Sequence, residues 1–244
     1  MVQFRVFRFD PEKDQKPYFD AYEIATEHGM TVLDGLISIF ETRDPSLAYR
    51  ASCCTALCGS CTMHINGRYR LACQTQIEDV AKNATVVVEP LRHLSVLRDL
   101  VVDMAPFFDQ WQKAGPFVPK IPTPTHEHLQ SPEQREKLNA LVDCIVCGAC
   151  YAACPSAREN PEYLGPHAMM RALRFIEDSR DVAAVERLSL VASDNGAFRC
   201  HTVFNCQTVC PKDLDPSSAI TRIKKLAIKS TGAVLIDAKR DRGS

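Results

Sequence analysis

Over the first hundred residues apolar and polar positions alternate in short runs that stop at turn residues, the period of half-buried strands. Val2, Phe4 and Val6 alternate with Gln3 and Arg5, after which Phe7 and Phe9 flank Arg8 on the other parity. The change of parity predicts a bulge, or a strand buried on both faces near its end, and Asp10-Pro11 closes the run. A second short strand is expected over 18–24. Thr31 is placed to cap a helix with Asp34 in its first turn and an apolar face of Val32, Leu33, Leu36, Ile37 and Phe40. Asn66-Gly67, between two strand-like runs, reads as a tight hairpin turn. Val86 to Val88, stopped by Pro90, reads as the last strand.

From about Leu97 the pattern turns helical. Leu100, Val101, Met104, Phe108 and Trp111 recur at helical spacing until Gly115-Pro116. Pro116, Pro119, Pro122 and Pro124 make an extended connection. Ser131-Pro132-Glu133-Gln134 then has the cap, the first-turn proline and the third-position Gln of a helix start. Gly165-Pro166 and Asp215-Pro216 open two more helices in the same way. The expected plan is a β-rich domain over 1–98, a helix and Pro-rich connection over 99–130, a mostly α-helical domain over 131–234 and a tail over 235–244. Arg222, Lys224, Lys225, Lys229, Lys239, Arg240 and Arg242 outnumber Asp237 and Asp241 near the end, which reads as a solvated helix face with a frayed tail, a surface facing anionic headgroups or an anchor loop being the alternative.

Composition alters this picture at one point. A net charge of −1 gives no reason to expect nucleic acid as a partner, and no apolar run approaches the roughly 18 residues of a membrane span. The start reads as a strand rather than an export or transit segment, so a prokaryotic cytoplasmic location is expected. Twelve cysteines in such a chain argue for metal ligation over disulfides.

The cysteines fall in three groups. Cys53-x4-Cys58-x2-Cys61 opens a plant-type [2Fe–2S] pattern, and Cys73, across the Asn66-Gly67 hairpin, supplies the fourth ligand. Structural zinc is the alternative, although it favours paired short knuckles. Cys54 reads as a spare small side chain, with ligation in place of Cys53 as the alternative. Strands and one helix around such a loop predict a ferredoxin-type β-grasp. Cys144-x2-Cys147-x2-Cys150-x3-Cys154-Pro155 is the run of bacterial two-cluster ferredoxins, whose fourth cysteine serves the other cluster. The return run, Cys200-x2-Val203-x2-Cys206-x3-Cys210-Pro211, has valine at one ligand position. Crossover then assigns Cys144, Cys147, Cys150 and Cys210 to a [4Fe–4S] cluster and leaves Cys154, Cys200 and Cys206 for the other. Valine has no lone pair to hold a fourth iron, so a [3Fe–4S] centre is expected; a fourth iron held by water or hydroxide is the alternative. The fold class is α+β, a β-grasp [2Fe–2S] ferredoxin-like domain followed by a mostly α-helical two-cluster ferredoxin-like domain.

The order of these motifs resembles the iron–sulfur subunits of succinate dehydrogenase and fumarate reductase. The likeness runs from Phe4 to about Thr231. It includes Asp44-Pro45-Ser46-Leu47-Ala48-Tyr49-Arg50, Cys58-Gly59-Ser60-Cys61, Leu71-Ala72-Cys73, Arg98-Asp99-Leu100, Asn160-Pro161, Glu177-Asp178-Ser179-Arg180-Asp181 and Cys210-Pro211-Lys212. The resemblance implies a partner flavoprotein with FAD and a dicarboxylate site, and a hydrophobic membrane anchor where quinone, and in some members haem b, is held. It implies a place on the cytoplasmic side of a prokaryotic inner membrane and no dicarboxylate active site in this chain. It also implies quinone or anchor contacts at Pro155, Ser156, His201, Val203 and Lys224. Solvated or loop roles are the alternatives for His201 and Lys224. Arg158 and Glu159 stand where many members carry an apolar platform for the quinone ring.

The function expected is one-electron relay in a succinate:quinone or quinol:fumarate oxidoreductase. A soluble fumarate or heterodisulfide-type reductase without quinone is the second reading. The heterodisulfide relatives append Cys-Cys-Gly repeats, and here Cys53-Cys54 is followed by Thr55.

Overall fold

The computed structural model describes residues 1–119 and 127–240, with backbone alone for 231–240. Along the chain run β1 (Val2–Arg8), β2 (Tyr18–Ile24), α1 (Val32–Thr42), β3 (Thr62–Ile65), β4 (Arg68–Leu71), α2 (Ile77–Val80), β5 (Thr85–Glu89), β6 (Val96–Arg98) and β7 (Val101–Val102). Helices follow: α3 (Ala105–Lys113), α4 (Pro132–Glu136), α5 (Asn139–Val142), α6 (Ala149–Ala152), α7 (Pro155–Glu159), α8 (Gly165–Ile176), α9 (Ala184–Val191), α10 (Asn205–Thr208) and α11 (Pro216–Arg240). None of the described helices is long and apolar enough to cross a membrane.

Two compact units emerge, and neither is one continuous stretch. The first takes Met1–Pro106 with Ile145–Ala153 and Val209–Lys212; the second takes Phe107–Cys144, Cys154–Thr208 and the chain from Asp213 on.

In the first unit a five-stranded mixed sheet has the order β2-β1-β5-β3-β4. β1 runs antiparallel to β2 and parallel to β5. The β1–β2 register is unbroken from Val2↔Ile24 to Arg8↔Tyr18, so there is no bulge. Phe4, Val6 and Arg8 share the buried face, while Phe7 packs edge-on against Phe19 at 5.9 Å on the other. The parity change reflects a buried charge. Arg8 donates to Asp44, to Asp99 Oδ1 at 3.1 Å and to Ser46 Oγ at 2.9 Å. Asp99 also accepts from the Phe9 and Ala48 N–H groups at 3.0 and 2.9 Å.

Thr31 caps α1 in a full capping box with Asp34. The buried face of α1 is Val32, Leu33, Leu36 and Ile39; Phe40, expected there, is largely exposed and lies edge-on to Tyr49. Asn66 and Gly67 have φ of 45° and 83°, the left-handed pair that joins β3 to β4. β5 is not the last strand. Leu100 and Val101, expected in a helix, belong instead to the β6–β7 hairpin, which turns at Asp99 with φ 46°. The helix begins only at Ala105, where the Asp103 carboxylate accepts from its N–H at 2.8 Å.

The second unit is helical. Ser131 and Gln134 form a capping box on α4, and Pro166 and Pro216 stand in the first turns of α8 and α11. His167 on α8 is fully buried, stacked on the Phe107 ring at 3.9 Å, and its Nε2–H donates to the Phe107 carbonyl at 2.8 Å. Arg187 on α9 donates to the Ala114 and Pro116 carbonyls and to Asp181, whose carboxylate also accepts from the Val118 and Ala183 N–H groups. Pro122, Pro124, Asp241 and Arg242, and the side chains of Asp237, Lys239 and Arg240, lie outside the described residues. The helical backbone continues to Arg240, past the residue 235 at which a tail was expected.

Candidate metal centres

Cys53, Cys58, Cys61 and Cys73 all belong to the first unit. The 53–61 loop turns its peptide N–H groups inward onto sulfur. Thr55, Leu57 and Cys58 donate to Cys53 Sγ at 3.4, 3.3 and 3.2 Å. Cys53 and Ser60 donate to Cys58 Sγ, both at 3.5 Å, and Ala56 donates to Cys73 Sγ at 3.3 Å. Positive φ at Cys54 and Ala56 bends the loop into this shape. The donors of Thr55, Cys58 and Leu57 draw the Cys53 thiol down to about 6. Cys61 and Cys73 come from the sheet side, one before β3 and one after β4, and the Cys73 N–H donates to Cys61 Sγ at 3.5 Å. Burial pushes the Cys61 thiol up to about 12, so a metal has to displace its proton. Cys54 is exposed, with its Sγ 3.7 Å from the Ser52 carbonyl oxygen, apart from the amide-ringed sulfurs.

The remaining ligands divide by unit. Cys147, Cys150 and Cys210 fall in the first; Cys154, Cys200 and Cys206 fall in the second; Cys144 closes the second-unit segment that Ile145 leaves. Cys154, Cys200 and Cys206 line one cavity, together with Ser156, His201 and Val203. The 201–204 segment turns on positive φ at Thr202 and Phe204, and the Thr202 N–H donates to Cys200 Sγ at 3.4 Å. Burial pushes the Cys206 thiol up to about 12 and raises Cys154 as well.

Residues 3–109 match the family model of a 2Fe-2S iron-sulfur cluster binding domain, and residues 143–215 that of a 4Fe-4S dicluster domain. The succinate dehydrogenase iron-sulfur subunit of Coxiella burnetii is 40% identical over 234 residues, which span 94% of this chain and 98% of that protein. The chain belongs to the succinate dehydrogenase iron–sulfur subunit family. The mitochondrial subunit of Dictyostelium discoideum is also 40% identical, over 92% of this chain and 82% of that one. A chain of the Mycobacterium smegmatis Sdh1 complex has the same fold, with a TM-score of 0.87 at 28% identity, over 94% of this chain and 96% of its own length.

This family member is an electron-transfer subunit of an oxidoreductase complex that includes other subunits, and it carries a 2Fe-2S domain and a dicluster domain. The donor chemistry fits such cofactors. None of the twelve cysteines is in a disulfide, so their thiols remain available as ligands. Six N–H donors of the first loop and the Cys73 N–H direct positive dipoles at the sulfurs of this set.

Of the other residues singled out from the sequence, Ser156, His201 and Val203 line the cavity. Lys224 is not among the lining residues; its Nζ donates to the Cys200 carbonyl at 2.9 Å and so ties α11 to the cysteine loop. Pro155 lies exposed in the first turn of α7, off the cavity wall. Arg158 and Glu159 are exposed and lie 3.8 Å apart as a weak pair, also off that wall. The sequence did not single out Tyr163 and Phe204, which also line the cavity, or the Arg8–Asp99 pair. The last had a signal: an Arg at a buried strand position demands an acid, and Asp99 is inside a motif otherwise read as helix.

Proposed function

We propose that this chain relays single electrons between a partner flavoprotein, holding FAD and a dicarboxylate site, and quinone at a hydrophobic membrane-anchor subunit. The complex would lie on the cytoplasmic side of a prokaryotic inner membrane. Cys53, Cys58, Cys61 and Cys73 hold a [2Fe–2S] cluster; Cys144, Cys147, Cys150 and Cys210 a [4Fe–4S] cluster; Cys154, Cys200 and Cys206 a [3Fe–4S] cluster. Bound clusters supply reversible one-electron chemistry, which lets a two-electron flavin step be passed on singly.

The observation that carries this reading is the partition of the second and third cysteine groups. Cys210, far along the chain, shares a compact unit with Cys147 and Cys150, while Cys154 shares the other with Cys200 and Cys206. For these six cysteines that is the division crossover ligation needs; Cys144 is the last residue of a second-unit segment, directly before Ile145 of the first. The residues around the three-cysteine set have definite tasks. Ser156 Oγ donates to the Arg199 carbonyl at 3.4 Å and Lys224 to that of Cys200, so both ends of the Cys200 approach are held. His201, exposed on the cavity wall, is free to donate to a quinone oxygen or a haem propionate.

Electron paramagnetic resonance on the anaerobically purified complex, with iron and zinc analysis, tests the assignment. The expected result is a [3Fe–4S] signal when oxidised, a [2Fe–2S] signal on reduction and about nine irons without zinc. A second full [4Fe–4S] centre, or zinc in place of iron, would sink it. Co-purification in detergent with a flavoprotein and a hydrophobic subunit is expected; a flavoprotein partner alone would favour the quinone-free reductase.

A further inference from the structure

Gly59 lies between the ligands Cys58 and Cys61 at φ 72°. A Cβ placed on it would fall 2.7 Å from the Cys147 Cβ, 2.9 Å from the Cys147 Cα and 3.0 Å from the Ile145 carbonyl oxygen. These neighbours are backbone or fixed to it, so no change of rotamer relieves the clash. All of them belong to the first unit, where Ile145 and Cys147 pack half-buried against the core that contains Cys61 and Cys73. A second tie lies beside the contact: the Tyr69 hydroxyl, on the strand leading to Cys73, donates to the Ala152 carbonyl at 3.0 Å. The loop of the first ligand set therefore rests on a ligand of the second with no side chain between them.

We propose that Gly59 is a positioning residue for electron transfer, setting the closest approach of the Cys58–Cys61 loop to Cys147. The proposal rests on the relay described above. One electron leaves what the first ligand set holds, which is oxidised, and enters what the second holds, which is reduced. No bond forms or breaks, and no proton moves. The rate of such a transfer falls exponentially with the gap between the centres, and backbone contact beside a ligand is the smallest gap a chain can offer. A methyl group at residue 59 has to be accommodated by parting the two segments. Its φ also penalises any side chain there. Gly148 separates the two effects: its φ is 82°, but a Cβ there meets only the side-chain ends of Met104 and Leu91, at 3.2 and 3.3 Å.

The test is microwave power saturation of the reduced [2Fe–2S] signal in the purified complex, with the second centre oxidised and then reduced. In the unaltered protein, reducing the second centre should speed relaxation of the first. Gly59→Ala should weaken that enhancement while both signals and the iron content persist, and Gly148→Ala should leave it. Electron transfer between the two centres should be slower in Gly59→Ala than in the unaltered complex and unchanged in Gly148→Ala. Undiminished enhancement in an iron-replete Gly59→Ala complex overturns the proposal. Should that variant lose iron, the unaltered complex decides: two reduced centres that saturate independently overturn it, and mutual relaxation supports it. Absence of either signal from the unaltered complex would sink the relay reading itself.

Discussion

At the scale of single residues, buried charge and buried imidazole carry the sharpest consequences. Asp99 accepts three hydrogen bonds, one from Arg8 and two from backbone N–H groups on separate segments, and it is almost fully buried. Burial opposes the charge on Arg8, but the bonds to Asp44 and Asp99 outweigh it and hold its pKa above the usual range. Removing one partner of such a pair leaves the other charge buried. Asp99→Ala should therefore cost about 3–5 kcal/mol in urea unfolding, while Asp99→Asn, which keeps an acceptor, should recover part of the loss. His167 makes a second case. Burial, only partly offset by its bond to the Phe107 carbonyl, lowers its pKa to about 4. Above pH 6.5 the imidazole is neutral in both folded and unfolded chains, and it adds no pH dependence. As pH falls from 6.5 toward 4 the unfolded chain takes up a proton that the folded one refuses, so stability is lost. At pH 5 the loss should be roughly 2 kcal/mol. His167→Gln should remove this slope, seen as a smaller fall in unfolding midpoint between pH 7 and pH 5; an unchanged slope would place the acid sensitivity elsewhere.

At the scale of elements, one network decides where the chain can be cut. Arg187 fastens α9 to the stretch after α3, through the carbonyls of Ala114 and Pro116 and through Asp181. Asp181 in turn holds the Val118 N–H at 3.0 Å. Asp181→Ala should strip the acid from a nearly buried guanidinium and free the Val118 amide. Limited proteolysis should then cut within residues 114–119 faster than in the unaltered protein, whereas Glu186→Ala, on the exposed face of α9, should not change the pattern. The elements also show what was readable in sequence. The capping boxes at Thr31 and Ser131, the Asn66-Gly67 turn and the proline-led starts of α8 and α11 are local chemistry, and each appears where its residues predict. The stretch 97–104 misled because Leu100, Val101 and Met104 happen to fall at helical spacing. What overrides that spacing is long-range: Asp99 is pinned to Phe9 and Ala48, and Leu100 N–H to the Ala48 carbonyl at 3.1 Å. Phe40 misled for a related reason, since α1 turns Ile39 rather than Phe40 into the core.

At the scale of the whole molecule, the proposed cluster inventory turns on one valine. The three-cysteine cavity is complete except that Val203 occupies the place a fourth cysteine has in the first run, C-x2-C-x2-C. Val203 sits on the wall of that cavity, within a turn built by positive φ at Thr202 and Phe204, and about half of its surface is exposed. A thiol at residue 203 would therefore stand on the same wall as Cys200 and Cys206 without disturbing a packed core. Thiolate is a far better iron ligand than an alkyl group or water. Val203→Cys should convert the [3Fe–4S] centre to [4Fe–4S], raising iron from about nine to about ten per chain and abolishing the oxidised paramagnetic signal. Val203→Ala, which removes bulk without adding a donor, should keep that signal. The two variants separate ligand chemistry from space: if Val203→Ala also gained a fourth iron, the valine would be excluding it by size, with water completing the site. If neither variant gained iron, the fold of the 200–206 loop rather than the residue at 203 would set the cluster type. The Lys224 bond to the Cys200 carbonyl is the contact that would impose it. Lys224→Met alongside Val203→Cys would then release the loop, and iron analysis of the double variant would show whether the fourth site opens.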